Sequence, residues 1–197
     1  MPRPKLHDDA LRVRLLEQAV RTLSKEGPDG LSLRKLAAQV GTSTTAVYSL
    51  FGGKPGLLNA VFDEAFDRFA QRLGTVEHVD DLIEQGIALA AAYRSSALDE
   101  PHFYQVMFGQ VGGELTPDEE SVRRATATFT PLVEWVRQAM DAGLLREENP
   151  RTVATTMWSV MHGLVSLELR SLLPPGSGEP AELYRHALRA MLRGWHP

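Results

Sequence analysis

The 197-residue sequence contains no cysteine, which excludes a disulfide framework, a thiolate metal site and a cysteine nucleophile. It also lacks an apolar run long enough to cross a membrane. The longest such run, from Gly86 to Tyr93, is far shorter than the roughly 20 residues that a spanning helix needs. The first residues do not have the apolar stretch of a signal peptide. These absences favour a cytoplasmic protein that does not associate with a membrane, and no cofactor is predicted.

Patterns of catalytic and metal-binding residues are missing as well. None of the six histidines lies three or four residues from another, so a zinc helix or a di-iron bundle is not supported. No Gly-x-Ser-x-Gly motif occurs. Gly52, Gly53 and Lys54 look like part of a phosphate-binding loop, but Tyr48 stands where that loop needs its first glycine and Pro55 where it needs a hydroxyl residue. We therefore predict that the protein is not an enzyme.

Strand-like alternation is absent, and apolar residues recur instead at helical spacing along nearly the whole chain. The prediction is an all-α fold of about nine helices, with an N-terminal three-helix head and a C-terminal helical body. We assign residues 1–57 to the head and residues 58–197 to the body. A capping box and a proline from Thr116 predict one long helix that continues to Met140.

A helix-turn-helix is predicted inside the head. One helix covers residues 33–40, with Ser32 as its N-cap and Gly41 as the residue that turns the chain. A short second helix covers residues 44–50. It exposes small polar side chains at its start and buries its apolar ones, as a helix that enters the major groove of DNA must do.

The net charge of −4 conceals an uneven distribution. Residues 1–57 contain nine lysines or arginines and five acidic residues, whereas the remaining chain contains 12 basic and 20 acidic residues. A basic head on an acidic body favours binding of a polyanion by the head. Gly53 and Lys54 begin the next predicted helix, whose free backbone N–H groups favour an anion such as a DNA phosphate.

The segment from Leu31 to Val61 resembles the DNA-binding head of the tetracycline-repressor (TetR) family. The positions that match the family pattern are Ser32, Leu36, Ala37, Gly41, Ser43, Val47, Tyr48, Phe51, Lys54 and Leu57. Thr42, Leu50 and Gly53 depart from it, since the family usually has a valine, a histidine or tyrosine, and a serine or asparagine there. Further on, Trp158, His162 and Gly163 resemble a TetR subgroup with a Trp-x-x-x-His-Gly signature.

The resemblance implies a homodimeric repressor that binds double-stranded DNA at a palindromic operator. By this analogy Tyr48 and Lys54 hold phosphate with help from Ser43, while Thr44, Thr45 and Ser49 read bases, and Arg34 completes the DNA-binding set. The alternatives are that Tyr48 is a packing ring and Ser49 an ordinary surface serine.

The resemblance also implies that a small apolar or amphipathic effector releases the DNA. The bulky residues that could line its pocket are Phe62, Phe66, Phe103, Met107, Phe108, Trp135, Met157, Trp158, Met161 and His162. Residues of the last two long helices that could cover a dimer interface are Leu164, Leu167, Ala187, Leu188 and Met191. Ordinary core packing is the competing interpretation for both sets. For the whole protein, the alternatives are an all-α interaction scaffold, or a small-molecule-binding protein or enzyme without sequence-specific DNA binding.

Overall fold

The computed structural model describes residues 5–109 and 117–197. These ranges contain ten helical segments and no strand, so the prediction of an all-α fold is confirmed. The segments are α1 (Lys5–Gly30), α2 (Leu33–Val40), α3 (Thr44–Phe51), α4 (Lys54–Gly74), α5 (Leu82–Asp99), α6 (Pro101–Phe108), α7 (Glu119–Ala127), α8 (Thr130–Asp141), α9 (Pro150–Leu169) and α10 (Pro180–Trp195). Among the described residues, no helix combines the length and the hydropathy needed to span a membrane.

The predicted helix from Thr116 to Met140 is two helices, α7 and α8. Pro131 stands in the first turn of α8 and has no N–H to donate to the carbonyl of Ala127, so a continuous helix would lose a hydrogen bond there. Thr116 lies outside the described residues. Asp118 accepts a hydrogen bond from the backbone N–H of Ser121 at 2.8 Å, in the manner of an N-cap.

The chain divides into two compact units that do not follow its order. Unit 1 comprises the described residues of 1–68 and 102–125, and unit 2 comprises 69–101 and 126–197. Helix α4 contributes to both units. The predicted boundary between residues 57 and 58 falls inside this helix, and it stays a prediction.

The core of unit 1 is formed where α1, α2, α3, α6 and the first half of α4 present their apolar sides. Its fully buried large side chains are Leu15, Leu16, Val20, Leu36, Val47, Leu57 and Val61. Removing side chains of this size from water stabilises the fold by roughly 1.5–3 kcal/mol each. This core therefore fixes which side of each short helix faces solvent.

Unit 2 contains a second core, around Trp135, Val136 and Val153, and two polar contacts that join distant helices. The Nε of Arg94 in α5 donates to Glu168 in α9 at 2.8 Å, and a second nitrogen of the same side chain donates to the other carboxylate oxygen. The hydrogen bonds to Glu168 raise the pKa of Arg94. The buried hydroxyl of Tyr184 in α10 donates to the carbonyl oxygen of Ala90 at 2.9 Å.

Candidate functional site

The turn between α2 and α3 has the backbone geometry that the sequence predicts. Gly41 adopts the left-handed conformation, with φ of 72°, and the N–H of Thr42 donates back to the carbonyl of Ala37 at 2.8 Å. The side chain of Ser43 caps α3 by accepting a hydrogen bond from the N–H of Ala46 at 3.1 Å. The two helices therefore form a helix-turn-helix whose second helix starts at a defined residue.

Ser32 has only part of the predicted role. It occupies the N-cap position of α2 with an extended backbone, but its side chain makes no capping hydrogen bond. Instead, its backbone carbonyl accepts from the N–H of Leu36 at 2.9 Å, as the first bond of the helix.

Helix α3 has one buried side and one exposed side. Val47 and Phe51 are buried in the core of unit 1. Thr45 and Ser49 are exposed on the opposite side, and the side chain of Tyr48 is 55% exposed. Thr44 is half-buried at the start of the helix, and Ser43 is exposed at the cap. The predicted base-reading residues thus lie on or beside one solvent-facing surface.

The start of α4 lies directly after α3 and depends on two glycines. Gly52 ends α3 in the left-handed conformation, with φ of 70°, and its N–H donates to the carbonyl of Tyr48 at 2.8 Å. Gly53 has φ of 134°, a value that side chains with a Cβ rarely adopt. The ring of Tyr48 lies across Gly53, with its Cε1 3.5 Å from the position that a Cβ there would take. Lys54, half-buried, is the first residue of α4.

Two further cations extend this surface on α2. The side chains of Arg34 and Lys35 are exposed in the first turn of α2. Arg14 of α1 has a structural contact instead, because its guanidinium donates to the carbonyl oxygen of Val40 at the end of α2. The surface formed by Arg34, Ser43, Thr44, Thr45, Tyr48, Ser49 and Lys54 is called the α3 surface below.

The ten residues that the sequence suggests for an effector pocket are divided between the two units. Phe62, Phe66 and Phe103 are buried in unit 1, and Met107 and Phe108 are half-buried there. The ring of Phe66 lies 4.8 Å from that of Phe62 and 6.1 Å from that of Phe108, between centroids. These five residues pack as part of the interior of unit 1.

Unit 2 contains an apolar cavity of about 30 Å³. Three of the suggested pocket residues line it, namely Trp135, Met157 and Met161. The remaining lining residues are Gly86, Ile87, Ala90, Leu132, Leu188, Met191 and Leu192. A volume of this size exceeds the roughly 10–15 Å³ that one water molecule needs, but an apolar lining offers such a molecule no hydrogen bonds.

Trp158 and His162 belong to a polar cluster in unit 2. The hydroxyl of Tyr93 lies 3.0 Å from Nδ1 of His162, and the indole Nε1 of Trp158 donates to that hydroxyl at 3.3 Å. Burial lowers the pKa of His162, which favours the neutral ring. Sequence reasoning missed Tyr93, because it lies 69 residues from His162 and no local pattern links the two.

The suggested dimer residues also fall into two groups. Leu167 is 38% exposed on α9, and Leu164 and Ala187 are half-buried. Leu188 and Met191 line the cavity of unit 2, where Leu188 is buried and Met191 half-buried. Val160, one turn before Leu164 on α9, is 40% exposed. Helical spacing alone did not separate the inner from the outer side of these helices.

Two family models match the chain. One, described as bacterial regulatory proteins of the tetR family, matches residues 15–61. The other, described as the C-terminal domain of tetracyclin repressor-like proteins, matches residues 87–191. The chain is also 27% identical to an HTH-type transcriptional regulator of Mycobacterium tuberculosis over 165 residues, which are 82% of this chain and 72% of that protein.

Solved structures with the same fold include a Rhodococcus protein of unknown function. It has 29% identity and a TM-score of 0.80, with 95% of this chain and 96% of that chain covered. The TetR family transcriptional regulator PfmR of Thermus thermophilus has 20% identity and a TM-score of 0.73, with 91% and 97% covered. At this identity the second likeness concerns the fold alone.

The backbone at Gly53 generates a prediction about stability. We expect Gly53→Ser to lower the free energy of unfolding by about 1–3 kcal/mol, because residue 53 has a positive φ. Urea denaturation measures this change. Gly194→Ala in α10 is the control: no neighbouring atom lies within 4 Å of the added Cβ, so a gain of up to about 1 kcal/mol is expected. Stabilisation by Gly53→Ser would contradict the described backbone.

Proposed function

The chain belongs to the tetR family of bacterial regulatory proteins, and from this premise we propose that it is a homodimeric repressor that binds a palindromic operator through α3 and is released by a small apolar molecule. As a member of this family it is a DNA-binding transcriptional regulator and not an enzyme. The proposal includes a cytoplasmic location, where such a regulator meets its DNA.

The observation that carries the proposal is the division of α3 into a buried and an exposed side. Val47 and Phe51 hold the helix in the core of unit 1, so that Thr45, Tyr48 and Ser49 stand outward together. A recognition helix needs this arrangement, since its outward side chains must reach base edges in the major groove.

The flanks of the α3 surface suit the DNA backbone. Lys54 is the first residue of α4, where backbone N–H groups and the helix dipole favour an anion. The ring of Tyr48 lies beside Gly53, directly before this helix start. Arg34 adds a cation on α2. Contacts of this kind position a protein on the duplex, whereas contacts to base edges give it sequence specificity.

We place the contact between two copies on the outer side of α9. Val160 and Leu167 are exposed there, with Leu164 half-buried between them, and their burial against a second copy would remove apolar surface from water. Leu188 and Met191 suit this role less well, because they face the cavity of unit 2. Two copies related by a two-fold axis would present two α3 helices to successive major grooves, about 34–36 Å apart.

The cavity of unit 2 is the proposed effector site. Its apolar lining favours an uncharged apolar molecule. The present volume of about 30 Å³ is well below the roughly 300–1,000 Å³ of sites that hold drug-sized ligands, so an effector must displace side chains. Met157, Met161 and Met191 provide flexible side chains for that change.

Helix α4 is the continuous element through which an effector in unit 2 would influence the α3 surface. It starts at Lys54, and its last residues belong to unit 2. Within unit 2 the ring of Phe69 lies 5.6 Å from that of Tyr93, edge to face. Tyr93 is one helical turn from Ala90, which lines the cavity. An effector that shifts α5 would therefore disturb the contact that holds the end of α4.

We also propose one finer point about the family. Membership of the subgroup with the Trp-x-x-x-His-Gly signature is supported by the contacts of Trp158 and His162 with Tyr93, which give those residues a shared structural role. The alternative that the sequence left open, an all-α interaction scaffold, does not agree with membership of this family.

Selection from random DNA duplexes tests the function directly. We expect the full-length protein to enrich an inverted repeat whose half-sites are about one helical turn apart, or a multiple of it. Affinity for the enriched duplex should fall with salt, with a log–log slope of about −0.9 per phosphate neutralised. Failure to enrich any duplex at low salt would contradict the proposed function.

The roles within the α3 surface are separable by substitution. Lys54→Ala should weaken binding to all duplexes by a similar factor and reduce the salt slope by about one, because it removes a phosphate contact. Thr45→Ala and Ser49→Ala should instead change the ranking of operator variants. A panel of single-base operator variants, measured for each protein at one salt concentration, gives the comparison. The same uniform loss for all three proteins would contradict the assignment.

The cavity generates a prediction about release. An apolar compound identified by thermal shift should weaken operator binding by roughly 5–150-fold, and operator should weaken compound binding by the same factor. Ala90→Val adds two methyl groups at the cavity and should abolish both effects while leaving DNA affinity unchanged. Calorimetric titration of free and operator-bound protein measures them.

The matched control for this substitution is Ala91→Val. Ala91 is exposed on the same helix, so its change has a similar helix-propensity cost, about 0.5 kcal/mol, without affecting the cavity. We expect compound binding to be retained in this variant. Unaltered binding of the compound to the Ala90→Val protein would place the effector elsewhere.

A further inference from the structure

The outward side of α3 has an unusual set of side chains for base recognition. The helix reads Thr-Thr-Ala-Val-Tyr-Ser-Leu-Phe from Thr44 to Phe51 and contains no arginine, lysine, asparagine, glutamine or acidic residue. Arg or Lys to guanine, and Asn or Gln to adenine, are the pairings that make bidentate contacts in the major groove. Helix α3 cannot make any of them.

The longer polar side chains of this region come from α2. Arg34, Lys35 and Gln39 are exposed there, and Gln39 accepts a hydrogen bond from Gln18 of α1 at 3.2 Å. The side chains of α3 that face outward are short, apart from Tyr48. Short side chains reach the base edges only if the helix backbone approaches them closely. The groups on those base edges then determine which bases α3 can contact.

The hydroxyl groups of α3 make no hydrogen bond with the residues that the structure describes. This holds for Thr44, Thr45 and Ser49. In contrast, Thr155 and Ser159 of α9 donate to carbonyl oxygens one turn earlier, at 2.7 and 2.8 Å. The exposed hydroxyls of α3 are therefore available to a partner outside the chain.

Besides its hydroxyl groups, the outward side of α3 presents a methyl group, that of Thr45. Thr45 presents a methyl group and a hydroxyl from an exposed position in the first turn. In the major groove the apolar group among the base edges is the C5-methyl of thymine, which contacts threonine methyl groups favourably. A hydroxyl makes a single hydrogen bond with a base, either by donating to an acceptor or by accepting from a donor.

We propose that α3 selects thymine at the base positions it faces, through contact of the Thr45 methyl group with the thymine C5-methyl. The hydroxyls of Thr45 and Ser49 add single hydrogen bonds that discriminate weakly between bases. The inference rests on the proposed function, in that α3 must enter the major groove. It adds the chemical class of the site, which is a half-site with A·T pairs under the first turn of α3.

The test removes one methyl group from each partner. Thymines of one half-site of the selected duplex are replaced singly by deoxyuridine, which pairs in the same way but lacks the C5-methyl. We expect the replacement at one position to weaken binding by about fourfold, which corresponds to the burial of one methyl group. The ratio of the affinity for the thymine duplex to that for the deoxyuridine duplex is called the thymine-to-uracil ratio. In Thr45→Ser, which keeps the hydroxyl, this ratio should fall to about one at that position. In Thr45→Val, which keeps a methyl, the ratio should remain about fourfold.

The outcomes distinguish the inference from the function on which it rests. If no duplex is enriched in the selection, the proposed function fails. If a duplex is enriched but every thymine-to-uracil ratio for the unchanged protein is about one, the inference is wrong and the function stands. A ratio that persists in Thr45→Ser overturns the role of Thr45. Circular dichroism of the variants excludes loss of folding as the cause.

Discussion

Burial of Val47 in the core of unit 1 is the constraint on which the functional surface depends. Its side chain is fully buried, Phe51 one turn later is buried as well, and both belong to a core to which five helices contribute. A helix of eight residues is too short to be stable alone in water, so tertiary burial must hold α3 in place. Because that burial fixes the rotation of the helix, it also decides that Thr45, Tyr48 and Ser49 face solvent.

Backbone conformations at three glycines set the path of the chain around this helix. Gly41 turns the chain from α2 into the cap of α3, and Gly52 and Gly53 turn it from α3 into α4, all at positive φ. The turn at Gly53 allows the ring of Tyr48 to lie over the start of α4. A serine or an asparagine at position 53 would be strained by this backbone, which has a φ of 134°. The same turn brings the phenol ring of Tyr48 and Lys54 together at the start of α4, where we propose that a DNA phosphate binds.

Unit 2 combines an apolar cavity with a polar cluster on the same two helices. Ala90 of α5 and Met161 of α9 face the cavity. Tyr93, about one turn after Ala90, and His162, the residue after Met161, form a hydrogen-bonded pair. Burial lowers the pKa of His162 and so favours its neutral ring. We propose that the small cavity, which is lined by flexible methionines, allows a ligand to change the position of a helix. This part of the molecule differs from the α3 surface in that its chemistry is apolar and its boundaries depend on packing.

The sequence by itself predicted the all-α class, the positions of α2, α3 and α4, and the left-handed turn at Gly41. It also predicted which polar side chains α3 exposes. These features depend on local periodicity and on residues within one or two turns of each other, which a linear reading contains. Pro131 also marks the break between α7 and α8 in the sequence, although helical periodicity alone does not show it. Tertiary structure alone decided the pairing of Tyr93 with His162 and the direction in which Leu188 and Met191 face. Each of these depends on contacts between segments far apart in the chain, or on which of two apolar sides of a helix meets its neighbours. Helical spacing places a residue on a side of its helix, but only packing against other helices decides whether that side is inside.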